Sequence, residues 1–170
     1  MKLRDFRPAD AEAVHRWFND DRVTADLVGS RDSFTLDDAA GWVERAMDTS
    51  RDRKWAITID GSDEAVGFVA LFGLERQLGP ELAVLVGDPS AWGKGVAREA
   101  ERLACKRAFR DYDAHRIHAE IPATNEAARP PSVSRSGFTN ATSNNPATNA
   151  HAASIDTATA ACHVFRARDQ

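Results

Sequence analysis

The stretch Glu81-Leu-Ala-Val-Leu-Val-Gly-Asp-Pro-Ser-Ala-Trp-Gly-Lys-Gly-Val-Ala-Arg-Glu-Ala100 constrains the fold more than any other part of the chain. Glu81 to Val86 is an apolar run of strand length, and Gly87-Asp88-Pro89 ends it. Val96, Ala100, Leu103, Ala104 and Ala108 then recur at helical spacing, out to about Arg110. Between them, Gly93 and Gly95 let the backbone turn tightly and let a ligand come close. The first amides of such a helix have no intrahelical acceptor and sit at the positive end of its dipole. An anion, usually a phosphate, suits that place, and Lys94 and Arg98 add charge. A plain loop with a glycine helix start fits the same residues. Two familiar phosphate loops do not fit. Gly87 to Gly93 is one residue too long for GxxxxGK[ST], and Gly95 follows the lysine. For GxGxxG, Gly93 and Gly95 match but the last position is Arg98.

The flanking sequence supplies the other elements. Leu3 to Arg7 alternates as a short strand does, and Pro8 and Asp10 mark a helix start. Val14, Trp17 and Phe18 give that helix an apolar face. Thr35 and Asp38 form a capping box ahead of a helix over 36–48, with Leu36, Ala40, Val43 and Met47 as its expected buried stripe. Trp55–Ile59 and Ala65–Phe72 read as strands joined through Asp60-Gly61, a hairpin signal. His115–Ile121 is a further strand. Antiparallel strands followed by a strand–loop–helix–strand unit predict a mixed α/β or α+β fold. The 170 residues suit a single domain. From Thr139 to Ala161, 20 of 23 residues are Ala, Thr, Asn, Ser or Pro, the composition of a flexible tail. Cys162-His163-Val164-Phe165 then reads as a strand again, so residues 127–161 are atypical low-complexity sequence ahead of a C-terminal strand in 162–170.

Several function classes drop out. With 22 Lys+Arg against 26 Asp+Glu the net charge is −4, which argues against nucleic-acid binding through phosphate contacts. No apolar run approaches the ~18 residues of a membrane span. Lys2, Arg4 and Asp5 are charged where a signal peptide turns apolar. Cys105 and Cys162 stand far apart, so a disulfide scaffold is not expected and a cytoplasmic setting is. His115 and His118 lie three apart on a strand and point to opposite sides, as the adjacent Cys162 and His163 do, so no metal site is expected.

The segment Trp92-Gly93-Lys94-Gly95-Val96-Ala97 resembles the acetyl-CoA-binding motif of the GNAT N-acetyltransferases, in the RimJ/RimL and spermidine acetyltransferase branch. Trp92 stands where the general motif has Gln or Arg. The resemblance runs over residues 1–126 and includes Leu3-Arg4-Asp5-Phe6-Arg7-Pro8, Trp17-Phe18-Asn19-Asp20 and Asn125-Glu126-Ala127. It implies a central, mostly antiparallel sheet flanked by helices and splayed at the acetyl-CoA site. It also implies that Trp92, Gly93, Lys94, Gly95, Val96, Ala97 and Arg98 hold the cofactor's pyrophosphate through the loop. The backbone of Val84, Leu85 and Val86 would pair with the pantetheine arm as an added strand. One of those amides would polarise the thioester carbonyl. Asn125 would help seat the cofactor.

Transfer to an amine asks for a base and an acid. A lysine-like amine has a pKa near ~10.4, so a general base lowers the barrier to presenting it neutral. Glu81 matches an acidic position of this branch and is the candidate catalytic residue, as base or as binder of a cationic substrate. The family's tyrosine acid, seven residues after the asparagine, falls on Ser132, and the one tyrosine of the chain is Tyr112. The acceptor region carries Asp20, Asp21, Asp26, Asp32, Asp37, Asp38 and Glu44, interspersed with Arg16, Arg22, Arg31 and Arg45. An acidic entrance attracts a small cationic amine, such as a polyamine, an aminoglycoside-like sugar or an amino sugar. A solvated acidic surface fits the same residues. A protein N-terminus as acceptor, and a catalytically degenerate acyl-CoA-binding domain, are the alternatives. A C-terminal strand with an exposed edge favours a homodimer.

Overall fold

Strand sequences that alternate between two apolar faces need helices on both sides, and the chain supplies them. The computed structural model describes residues 1–25, 33–75, 79–122 and 150–156. Strands β1 (Lys2–Arg4), β2 (Arg53–Thr58), β3 (Ala65–Phe72), β4 (Glu81–Val86), β5 (Arg116–Pro122) and β6 (Ala150–Asp156) lie in that order in one six-stranded sheet. All neighbours are antiparallel except β4 and β5, which run parallel. The β2–β3 turn contains Gly61 at φ +87°, a left-handed position that suits glycine.

Helices α1 (Ala11–Phe18), the one-turn α2 (Asp21–Thr24) and α3 (Leu36–Met47) precede β2, and α4 (Val96–Asp111) joins β4 to β5. Leu82, Val84 and Val86 of β4 share a core with α4 and with Ile117 and Ala119 of β5. Leu85 and Ala56 share the other core with α1 and α3. The entry to α1 is fixed by Asp10, which takes both guanidinium nitrogens of Arg4 at 2.8 and 2.7 Å and the Arg7 amide at 2.8 Å. The fold is thus the expected mixed α+β sheet with flanking helices.

Two expectations need correction. The Thr35–Asp38 capping box forms as read, with Asp38 N–H donating to Thr35 Oγ1 at 3.1 Å and Thr35 N–H to Asp38 Oδ2 at 3.0 Å. Of the expected stripe of α3, Val43 is buried but Leu36, Ala40 and Met47 are not. Ala39, Val43 and Ala46 are buried, whereas Leu36 is 50% and Met47 45% exposed. Trp42 turns the helix, because its ring packs 5.2 Å from Phe6 and 5.0 Å from Phe68. An aromatic ring outweighs a leucine and a methionine at the ends of a helix. The second correction is β6, which lies inside the low-complexity stretch. It pairs with β5 from Arg116↔Asp156 to Pro122↔Ala150. Backbone pairing does not need large apolar side chains, which is why composition hid it. The expected strand at Cys162–Phe165 lies outside the described residues.

Candidate active site

The site begins where the sheet opens. On its β3 side, β4 is paired along its whole length, from Phe72↔Glu81 to Gly67↔Val86. On its β5 side, the register has one Cα pair, Glu81↔His118. Just before it, the His118 amide donates to the Pro80 carbonyl at 3.1 Å. Beyond this contact the register records no further pair, so the β5-facing edge of β4, with the amides of Val84 and Val86, is left unpaired by β5. The side chains of Val84, Leu85 and Val86 are buried. Only their backbone can therefore meet a ligand at that edge, in the manner of an added strand.

The loop after β4 is built to hold its shape. Asp88 caps a short turn, accepting from the Ser90 amide at 2.8 Å, while its own amide donates to the Val66 carbonyl at 2.9 Å. Gly87 passes so close to α1 that a Cβ there would lie 2.2 Å from the Trp17 ring. Trp92 is half-buried, and its Nε1–H donates to the Val86 carbonyl at 2.8 Å. That bond ties the loop back to the end of β4, so Trp92 shapes the loop with its side chain.

Gly93 and Gly95 both adopt left-handed backbone, at φ +73° and +72°. Gly95 is the N-cap of α4 and brings no side chain to cap it. Its carbonyl accepts the first helical bond, from Glu99 N–H at 3.1 Å. The amides of Val96, Ala97 and Arg98 thus precede the helical ladder. No heavy atom lies within 4 Å of where a Gly95 Cβ would stand. Gly93, Lys94, Gly95 and Arg98 are exposed. An uncapped helix start, open space above it and two cations suit a pyrophosphate. Glu99 is the one acid in the first turn, and Arg102 holds it at 2.6 Å and lowers its pKa through that hydrogen bond. The residues present therefore fit the anionic end of acetyl-CoA.

Glu81 is half-buried at the apex of the split. It faces the α1–α3 side, because Leu82 faces α4 and strand side chains alternate. His118 faces the same side for the same reason, since Ile117 and Ala119 both lie in the α4 core. Sequence reasoning weighed His118 as a metal ligand and missed this neighbour; strand register was the signal it lacked. Among the described residues no group of three metal-ligating side chains converges.

Other candidates separate from the apex. Tyr112 caps the far end of α4, about 24 Å from the loop at 1.5 Å per residue. There it is half-buried under Arg53, 5.8 Å from the ring centroid. Asn125 and Ser132 lie outside the described residues, as do Asp26, Arg31 and Asp32. Asp20 caps α2 and binds Arg22 at 2.6 Å, and Arg16 binds Glu64 at 2.6 Å. Asp21, Asp37 and Glu44 are exposed on the helices of the α1–α3 side. A cleft of about 270 Å³ on this side of α3 mixes Arg45, Arg51 and Lys54 with Asp48 and Asp52.

One buried group was read past altogether. Glu101, on α4, is fully buried, and neither carboxylate oxygen has a hydrogen-bond partner among the described residues. Burial, then the nearby Cys105, pushes its pKa up to about 8 against a smaller lowering by Arg98.

Comparison with known proteins accords with this geometry. No curated protein matches the chain. Among solved structures, the GNAT-family acetyltransferase from Bacillus anthracis is 25% identical with a TM-score of 0.62, over 72% of this chain and 70% of that one. Spermidine N-acetyltransferase from Vibrio cholerae, solved with CoA and spermine, is 19% identical with a TM-score of 0.64, over 75% of this chain and 74% of that one. At that identity the likeness speaks for the fold. The model of the acetyltransferase (GNAT) domain matches residues 1–130. An open β4 edge leading into an uncapped, glycine-entered helix is thus carried by a chain that belongs to the GNAT family of acetyl-CoA-dependent N-acetyltransferases.

Proposed function

We propose that this domain, of the RimJ/RimL branch, acetylates a small cationic primary amine by direct attack within a ternary complex. The observation that carries this reading is the single pairing Glu81↔His118, which leaves a carboxylate at the apex of the split and an open β4 edge beyond it.

In this reading acetyl-CoA supplies an acetyl group activated as a thioester. The amides of Val96, Ala97 and Arg98, with Gly93, Lys94 and Gly95 shaping the turn, hold its pyrophosphate, and Trp92 fixes that loop. The backbone of Val84, Leu85 and Val86 pairs with the pantetheine arm, and one of these amides donates to the thioester carbonyl oxygen. Asn125 completes the seat. Glu81 takes a proton from the acceptor amine and orients it for attack. The exposed carboxylates Asp21, Asp37 and Glu44 draw a cation toward the same face. The spermidine acetyltransferases of similar fold support a polyamine as the first acceptor to try. The chain acts as a single domain in the cytoplasm and pairs as a homodimer, a state that sedimentation equilibrium reads directly.

The test is thiol release from acetyl-CoA against spermidine, kanamycin, glucosamine and a short peptide with a free N-terminus. Release with spermidine, or with another of the cationic small amines, is the expected result. Glu81→Gln should lower kcat by about 100-fold or more while acetyl-CoA affinity stays within twofold. Turnover of the peptide alone would move the assignment to protein N-termini. Acetyl-CoA binding without turnover of any amine would mark a degenerate binding domain, as Ser132 at the family's tyrosine position allows.

A further inference from the structure

The apex of the split holds a second side chain able to move a proton. It rests on the reading of Glu81 as the base. His118 is the Cα partner of Glu81 across the parallel β4–β5 contact, and both side chains stand on the α1–α3 face. Adjacent strands lie about 4.8 Å apart, so the two side chains leave the sheet from adjacent positions on one face. On its other side Glu81 pairs with Phe72, whose ring has the Lys54 ammonium 5.1 Å from its centroid. Lys54 in turn lies 3.6 Å from Asp52. The Phe72 ring thus carries those charges on its far side, while His118 is the Cα partner of Glu81 on the β5 side. The backbone of His118 is anchored by its bond to Pro80. Its ring Nδ1 is buried and has no hydrogen-bond partner among the described residues. A buried ring nitrogen left without a partner is unfavourable and rare in folded proteins, which points to a role for it.

We propose that His118 is a positioning and proton-relay residue that acts through Glu81. The acceptor arrives as an ammonium and gives one proton to the Glu81 carboxylate. Glu81 passes it to the imidazole, which releases it to water and returns to neutral. The amine nitrogen then forms its bond to the acetyl carbon as the carbon–sulfur bond breaks. The second proton of that nitrogen leaves with the departing sulfur. Overall an ammonium and a thioester become an amide, a thiol and one proton in solution. The relay keeps Glu81 ionised for each turnover.

The test uses the full chain and the best amine of the panel above, with wild type, Glu81→Gln, His118→Gln, His118→Ala and the double Gln variant. His118→Gln is expected to lower kcat 10- to 100-fold, with KM for the amine and calorimetric acetyl-CoA affinity within twofold of wild type. Added imidazole should restore part of the rate in His118→Ala. His118→Gln should change nothing further in the Glu81→Gln background, because the two groups act in series. A His118→Gln kcat within twofold of wild type, or losses that multiply in the double variant, would overturn the relay while leaving Glu81 as base. A full rate in Glu81→Gln would instead overturn the reading of Glu81, and the relay with it, as would wild-type protein inert toward every amine. Should His118→Gln lower the melting temperature, imidazole rescue of His118→Ala decides, since a structural loss would not respond to it.

Discussion

Glu101 occupies a position where the helical pattern of α4 asks for an apolar side chain, between Ala100 and Ala104 and one turn from Cys105. A charged residue in an amphipathic helix is ordinarily read as solvent-facing, so its burial could not be seen in the sequence. The consequence is a pH-dependent stability with a definite sign. The carboxyl titrates at about 8 in the folded protein, against ~4.3 in an unfolded chain. The folded state therefore keeps a proton that the unfolded chain has released. Stability is fully present below about pH 4, falls as pH rises toward 8, and levels off above it. At ~1.4 kcal/mol per pKa unit the total loss is of the order of 5 kcal/mol. Melting temperatures measured from pH 5 to 8 should fall steeply for wild type and less for Glu101→Gln. Glu101→Leu should raise the melting temperature at pH 8, and an unchanged profile would contradict the assignment. His118 was hidden differently: its side of β5 is legible from alternation with Ile117 and Ala119, but its partner on β4 is a matter of register, which no local pattern encodes.

At the scale of elements, the strand–loop–helix unit was the most legible part of the chain. β4 was read at its observed bounds, and α4 to within one residue at its end. The reason is local: two glycines forced into left-handed backbone leave few alternatives to a tight entry into a helix. Gly95→Ala should show this directly. With open space around the site the substitution meets no clash, so only the backbone conformation resists it. We expect a loss of about 1–2 kcal/mol of stability from the left-handed position. Acetyl-CoA affinity should fall at least fivefold as the loop relaxes, which calorimetry checks. The face of α3 was less legible than its cap. The capping box depends on two residues three apart, whereas the buried face depended on the distant rings of Phe6 and Phe68 drawing Trp42 inward.

For the whole molecule, the class of fold followed from element order, and the one parallel pair in an antiparallel sheet followed from the helix between β4 and β5. What order could not give is that this pair meets at a single position, which leaves the β4 edge open for the ligand proposed there. Nor did composition foretell β6, which pairs with β5 along its whole length. Asn125 and Ser132, two positions named from the family pattern, lie outside the described residues, so the proposed seat of the cofactor is argued from β4 and α4. Backbone amide exchange with and without acetyl-CoA tests that seat most directly. The account predicts slowed exchange at amides within Val84–Val86 and Val96–Arg98 when acetyl-CoA is bound, with little change along β1 and β2. Protection confined to other segments, or none at saturating acetyl-CoA, would contradict it.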